Sequence, residues 1–228
     1  MNRAEYEARL QTLGDWRWIP PGLNALVETM EFDGGHDFSH LARVLTNAQQ
    51  IGLGEAERAD IDWEVISAAV TFHDAINLPK NSPQRHLAST KSAEFAVGIL
   101  GEFMSEQQLV RVEEAIRTHS FSSGFEPECI EARIVTDADR LESLGAFGIA
   151  RTFYVGGRMG GSILHQADPF GRNRALDDRN YSLDHFFAKL LTLKDKMTTD
   201  AGRELAAQRH RFLEQFIEQI ALELGDEV

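Results

Sequence analysis

The chain has 228 residues, 43% of them hydrophobic and 26% charged, enough apolar material for one sizeable core or two small ones in a globular, soluble protein. Its formal net charge of -13 excludes broad attraction to a nucleic-acid polymer, which depends on Lys and Arg displacing counterions. A small anionic substrate stays open, provided metals and a few local cations offset the field. Cys129 has no second cysteine to pair with, so an internal disulfide and an all-thiolate zinc site are excluded and an inert thiol is expected.

The opening, "MNRAEYEARLQTLGDWRW", is charged and lacks the apolar centre of a signal peptide, and no later run approaches the roughly 18 apolar residues of a membrane span. We therefore expect a cytoplasmic protein with no membrane partner. Apolar residues then recur at helical spacing through "LNALVETM", "DFSHLARVLTNAQQIGL" and "DWEVISAAVTFHD". The second of these is expected to begin near His36 and to end at Gly52 and Gly54, and Asp62 is placed to cap the third before Trp63. Asn77 to His86, "NLPKNSPQRH", reads as a loop.

Helical spacing resumes in "STKSAEFAVGILGEF", in "SEQQLVRVEEAIRTH", where Ser105 and Gln108 resemble a capping box, and in "IVTDADRLESLGAFGIA". Val155 to Tyr181 is rich in Gly, Asn, Asp and Pro and reads as one long loop, long enough to favour a functional lid or irregular structure of its own. "SLDHFFAKLLTLKDKM" and "AGRELAAQRHRFLEQFIEQIALEL" complete an all-α chain with a C-terminal helical extension, treated as one domain over residues 1–228. The apolar stripe Phe186, Phe187, Leu190, Leu191 and Leu193 reads as core or a subunit contact, which leaves a homo-oligomer open. "GGRMGG" lacks the G-K-[ST] ending of a phosphate loop and a preceding strand.

Three places concentrate groups that could carry chemistry. "FDGGHDFSHLARV" holds His36, Asp37 and His40; its "HDFSH" imitates the spacing of zinc proteases, but Gly34 and Gly35 put His36 at the start of the helix, and aspartate is shorter than the glutamate base of that motif. There Asp37 can simply stabilise a helix N-terminus. His73 and Asp74 end an apolar helix, so both can turn to one point although neighbours on a helix lie about 100° apart. The same pair also reads as a C-capping histidine and a turn-starting aspartate. Asp137 and Asp139 interrupt an apolar run, where an unpartnered carboxylate would be costly. Arg140 could satisfy one, and a divalent cation holding imidazole and carboxylate together could do so better.

The order of these groups, "HLARV", then "FHDAI", then "DADRLES", resembles the HD superfamily of metal-dependent phosphohydrolases, in a YedJ-like bacterial branch that further strings such as "NLPKNSPQR", "THSFSS" and "DPFGRNRALDDRNYSLDHFFAKLL" also resemble. The resemblance implies an HD-domain helical bundle with its core at about residues 20–152 and the long loop and last helices at about 153–228. It implies one divalent metal ion (Mn, Co, Ni, Fe, Zn or Mg) on His40, His73, Asp74 and Asp139, leaving His36-Asp37 as a decoy doublet. It also implies hydrolysis of a phosphate ester or anhydride of a small molecule, a nucleotide by family precedent, releasing either phosphate or pyrophosphate. Catalytic roles are expected for Asp74, orienting the attacking water, and for His119. Substrate contacts are expected from Lys80, Arg85, Arg140, Arg151, His36 and Asp37. The chain departs from the pattern in lacking the glutamate that some HD phosphatases carry just after the doublet. That departure keeps two competing readings: a metal- and nucleotide-binding regulatory module without turnover, and an HD-fold oxygenase with two irons, for which His86 and His119 would be the extra ligands.

Overall fold

The computed structural model describes residues 38–76, 78, 83–120 and 124–226. Among them the regular structure is helical, apart from an isolated bridge between Ser162 and Tyr181, so the fold is all-α as expected. No helix among the described residues is long and apolar enough to cross a membrane. The chain divides into two compact units at Asp139 and Arg140.

The first unit holds α1 (Phe38–Glu55), α2 (Trp63–Phe72), a 3-10 turn (Arg85–Leu87), α3 (Ala88–Leu100) and α4 (Glu106–His119), and most of α5 (Ile130–Leu141). Helix α2 is the centre: every residue from Val65 to Phe72 is buried, as a helix apolar on all sides must be. It packs against α1, α3 and α4, while α3 and α4 lie along each other as a helical hairpin.

Polar side chains fasten one end of this bundle. Asp62 caps α2 by accepting from the Glu64 and Val65 amides at 3.1 and 3.3 Å, and Ser105 and Gln108 form the expected capping box on α4. The Gln108 amide also donates to Asp62 Oδ2 at 3.1 Å, joining the two N-termini. The Asp62 amide in turn donates to Glu131 Oε1, a buried carboxylate of α5 with Arg111 at 3.5 Å. With the N-termini of α2 and α4 tied together, their C-termini come together at the other end, where the chain carries His73 and His119.

Gly52 and Gly54 do not end α1, which continues to Glu55. Gly52 lies against the indole of Trp63, and a Cβ there would sit 2.5 Å from the ring. The glycine makes room for the first residue of α2, and its sequence signal as a terminator misleads.

The second unit contains α6 (Gly145–Arg158), α7 (Asp184–Ala188), a 3-10 segment (Leu190–Lys196) and α8 (Asp200–Leu224). Its core joins Phe153, Phe186 and Phe216, with ring centroids 5.7 to 5.9 Å apart, to Leu190, Leu193 and Leu213. The expected helix after Tyr181 breaks at Lys189, whose φ is -139°. The 3-10 turn beyond it aligns residues three apart, which carries both Leu190 and Leu193 inward. The expected loop from Val155 also starts later, because Val155–Arg158 belong to α6. The rest is irregular but held: Ser162 pairs with Asn180 and Ser182 through backbone hydrogen bonds, and Arg174 grips the fully buried Asp184 with two nitrogens at 2.5 and 2.7 Å.

Burial opposes the Asp184 charge, but the Arg174 fork and the Asp177 amide at 2.6 Å overcome it and hold the carboxyl below its ordinary range. A depressed folded-state value contributes stability that is fully present above the unfolded value of about 3.9 and is lost as pH falls through the folded value. Arg174→Ala should therefore lower the urea midpoint clearly at pH 7, and the difference from wild type should shrink as pH is taken below about 4; equal loss at both pH values would contradict this reading of the pair.

Candidate metal centre

His40 on α1, His73 just past α2, and Asp74 beside it converge at the free end of the first unit. His40 and His73 are 1% and 0% exposed, and their Nε2 atoms lie 3.3 Å apart. Asp74 Oδ2 is 3.4 Å from His73 Nε2 and 3.9 Å from His40 Nε2. These three residues form a group whose donor atoms all lie within 4.8 Å of one another. Donors about 2.1 Å from a common ion and at right angles or tetrahedral angles to each other stand roughly 3.0–3.4 Å apart, so the spacing fits one divalent ion with modest adjustment. Asp139, in the last turn of α5, brings Oδ1 to 3.7 Å from His40 Nε2 and 3.9 Å from His73 Nε2. Asp137, the other carboxylate of that run, is fully buried and sits about 200° around the helix from Asp139.

The imidazoles are aimed by the backbone. His73 Nδ1 lies 2.8 Å from the Val70 carbonyl and His119 Nδ1 lies 2.6 Å from that of Ile116. Each ring thus donates from Nδ1 to its own preceding turn and turns Nε2 toward the centre, the arrangement that prepares a histidine for a metal. His119 approaches the other oxygen of the doublet's carboxylate, with Nε2 at 3.7 Å from Asp74 Oδ1, and its ring meets His73 edge-on at 4.9 Å. Asp74 is thereby divided, Oδ2 toward His40 and His73 and Oδ1 toward His119. Because α2 and α4 both end here, their C-terminal partial negative charges add to the carboxylates in favouring a cation. The histidine rings form the floor, whereas the Asp74 and Asp139 side chains are 22% and 26% exposed, so the centre opens on its carboxylate side.

Two positions with no sequence signal support these groups. Ser92 of α3 is buried and its Oγ accepts from the Ile76 amide at 3.0 Å, holding the turn that carries Asp74. Asn47 of α1, also buried, donates to the Ala138 carbonyl at 3.0 Å, next to Asp139. Neither is charged or part of a motif, and the bonds that matter here go to backbone groups.

The expected substrate residues are less gathered. His36, Asp37 and Lys80 lie outside the described residues, and Arg85 is placed only as the start of the 3-10 turn. Arg140 donates through its guanidinium to the Lys196 carbonyl, and Arg151 is half-buried on α6, both in the second unit. Exposed His86 sits in the 3-10 turn.

Burial opposes a charge on His73, yet Asp74, then Asp139 and the Val70 carbonyl, outweigh it and push its pKa up to about 9. Burial likewise opposes the Asp74 charge, and His73 and His119 hold that carboxyl well below its ordinary range. A metal must displace the His73 proton, so at neutral pH binding should release about one proton, and apparent affinity should rise with pH up to the His73 pKa near 9. Calorimetric titration of the metal-stripped protein in two buffers of different ionisation enthalpy measures that proton; zero release at pH 7 would contradict the arrangement.

Comparison with known proteins agrees with the geometry. The HD domain family matches residues 37–144. The uncharacterised protein YpgQ of Bacillus subtilis is 35% identical over 190 residues, which cover 82% of this chain and 83% of that one. The crystal structure of YpgQ in complex with ADP superposes with a TM-score of 0.62 at 29% identity, covering 98% of this chain and 97% of that one. An HD-superfamily hydrolase from Bacillus thuringiensis gives a TM-score of 0.64 at 30% identity, covering 99% and 100% of the two chains. The cofactor is accordingly a divalent metal ion, for which His40, His73 and Asp74 provide a suitable group. By its sequence, its helical bundle and this converging set of histidines and aspartates, the chain belongs to the HD superfamily of metal-dependent hydrolases.

Proposed function

We propose that this hydrolase cleaves the phosphate ester or anhydride of a nucleotide, with His40, His73, Asp74 and Asp139 as metal ligands. The observation that carries the site is the convergence of the buried His40 and His73 imidazoles and the partly exposed Asp74 carboxylate on one point, with the Asp139 carboxylate 3.7 Å from His40. A nucleotide is supported by the ADP bound to YpgQ. A divalent ion bound there would lower the pKa of a coordinated water and polarise a phosphoryl oxygen.

The protein's own groups then divide the work. Asp74, through Oδ2, anchors the doublet to the centre, and its Oδ1 lies 3.7 Å from His119 Nε2. With Nδ1 committed to the Ile116 carbonyl, His119 presents Nε2 as the group that takes up or gives back a proton beside the reacting phosphate. This supplies an acid-base group in a chain that lacks the glutamate after the doublet. The substrate is proposed to approach from the carboxylate side, with Lys80, Arg85 and Arg151 pairing with its phosphates and His36 and Asp37 as further substrate contacts. Arg140 is proposed as a further phosphate contact while part of its guanidinium stays on Lys196.

Purified protein assayed with nucleoside mono-, di- and triphosphates and each divalent metal, with phosphate and pyrophosphate detected separately, tests the reading. Metal-dependent release of either product supports it and decides between nucleotidase and pyrophosphohydrolase; no release from any nucleotide would overturn it. Asp74→Asn should lose bound metal and turnover together. His119→Asn should keep the metal and lower kcat by about 10²–10⁴, whereas full activity in that variant would remove His119 from the chemistry.

A further inference from the structure

Asp139 differs from the other groups at the centre in how it is held. His73 and His119 are oriented by carbonyls of their own helical turns, but Asp139 is a short, partly exposed side chain in the last turn of a helix that ends at Leu141. The last carbonyls of a helix have no partner further along it, and such a turn frays unless something outside takes them. The Arg140 and Leu141 carbonyls accept from the amides of Ser143 and Leu144 at 3.0 and 3.1 Å. The Ala138 carbonyl, immediately before Asp139, accepts from Asn47 Nδ2 at 3.0 Å.

Asn47 comes from the helix that carries His40. Seven residues on a helix amount to two turns less about 20°, so His40 and Asn47 share one buried face of α1, and both are nearly inaccessible. That face therefore reaches α5 in adjoining places: His40 faces the Asp139 carboxylate at 3.7 Å and Asn47 grips the peptide just before it. Removing the amide would take this donor from a buried carbonyl and loosen the hold of α1 on the last turn.

We propose that Asn47 is a positioning residue for the metal centre, fixing the last turn of α5 so that the Asp139 carboxylate stands in register with His40. This rests on the reading of Asp139 as a ligand. Asn47 touches neither ion nor substrate and acts through Asp139, in the way that groups bonded to a ligand's support tune metal affinity about 10–100-fold.

Cobalt(II) titration of the metal-stripped full-length chain, followed by its visible absorption, tests the proposal with Asn47→Leu, Asn47→Ser, Asp139→Asn and the combined Asn47→Leu/Asp139→Asn. Circular dichroism verifies folding; if the leucine variant fails to fold, the serine variant alone and combined with Asp139→Asn carries the test. The expected result is about tenfold weaker binding in each Asn47 variant, an absorption change in the same direction as that of Asp139→Asn, and no additional loss when the two changes are combined. Wild-type affinity in the Asn47 variants, or a full second tenfold loss in the combined variant, would overturn the positioning role. Wild-type affinity in Asp139→Asn would overturn the ligand reading itself, and the proposal with it.

Discussion

Two buried imidazole nitrogens, Nε2 of His40 and of His73, face each other at 3.3 Å with carboxylates on their open side. Two lone pairs so close in a water-poor place repel, and a proton on either nitrogen or the positive charge of a metal ion between them relieves that repulsion. Without metal, the raised His73 pKa supplies that charge as a proton. With metal, the ion replaces it, so folding and cofactor binding draw on one electrostatic requirement. The rest of the first unit can be understood as the means of bringing these nitrogens and oxygens together.

That means is mostly apolar. Helix α2 is buried along Val65 to Phe72 and so cannot slide or rotate without exposing core, which places His73 at a fixed depth. The network of Asp62, Gln108 and Glu131 sets where α2, α4 and α5 begin, and helix length then determines where His73, His119 and Asp139 arrive. At the end where α2 and α4 terminate, the cation needed by the carboxylates also meets the partial negative charge of those termini.

Much of this was legible in the sequence. The position of His73 and Asp74 at the end of an apolar helix, and of Asp139 in an apolar run, left a cation site or plain capping and pairing open; the order of the motifs, by resemblance, chose the cation, and the structure brings these groups near His40. His119 was legible through "THSFSS", one of the strings that carry the family resemblance. What stayed hidden depended on neighbours distant in sequence: Gly52 has the spelling of a helix stop but serves as space for Trp63. Asn47 and Ser92 support the site through bonds to backbone groups, which leave no pattern for a motif to catch. Arg140, next to a ligand candidate, has a bond to the Lys196 carbonyl that no sequence pattern announces.

The second unit shows the same dependence. Its long Gly-rich stretch reads in the sequence as a functional lid or irregular structure of its own, and the Arg174–Asp184 pair, which ties it to α7, and the Ser162–Tyr181 bridge hold irregular chain in place. Spacing alone made "SLDHFFAKLLTLKDKM" one helix, whereas packing of Phe186, Leu190 and Leu193 into one core favours a break at Lys189.

The central claim concerns where one ion sits. Anomalous diffraction at the manganese edge from a crystal of the manganese-loaded protein would locate it directly. The account expects a peak about 2.1 Å from Nε2 of His40 and His73 and bonded also to Asp74 Oδ2 and Asp139 Oδ1. A peak held by other residues, with His40 or His73 turned away from it, would contradict the account.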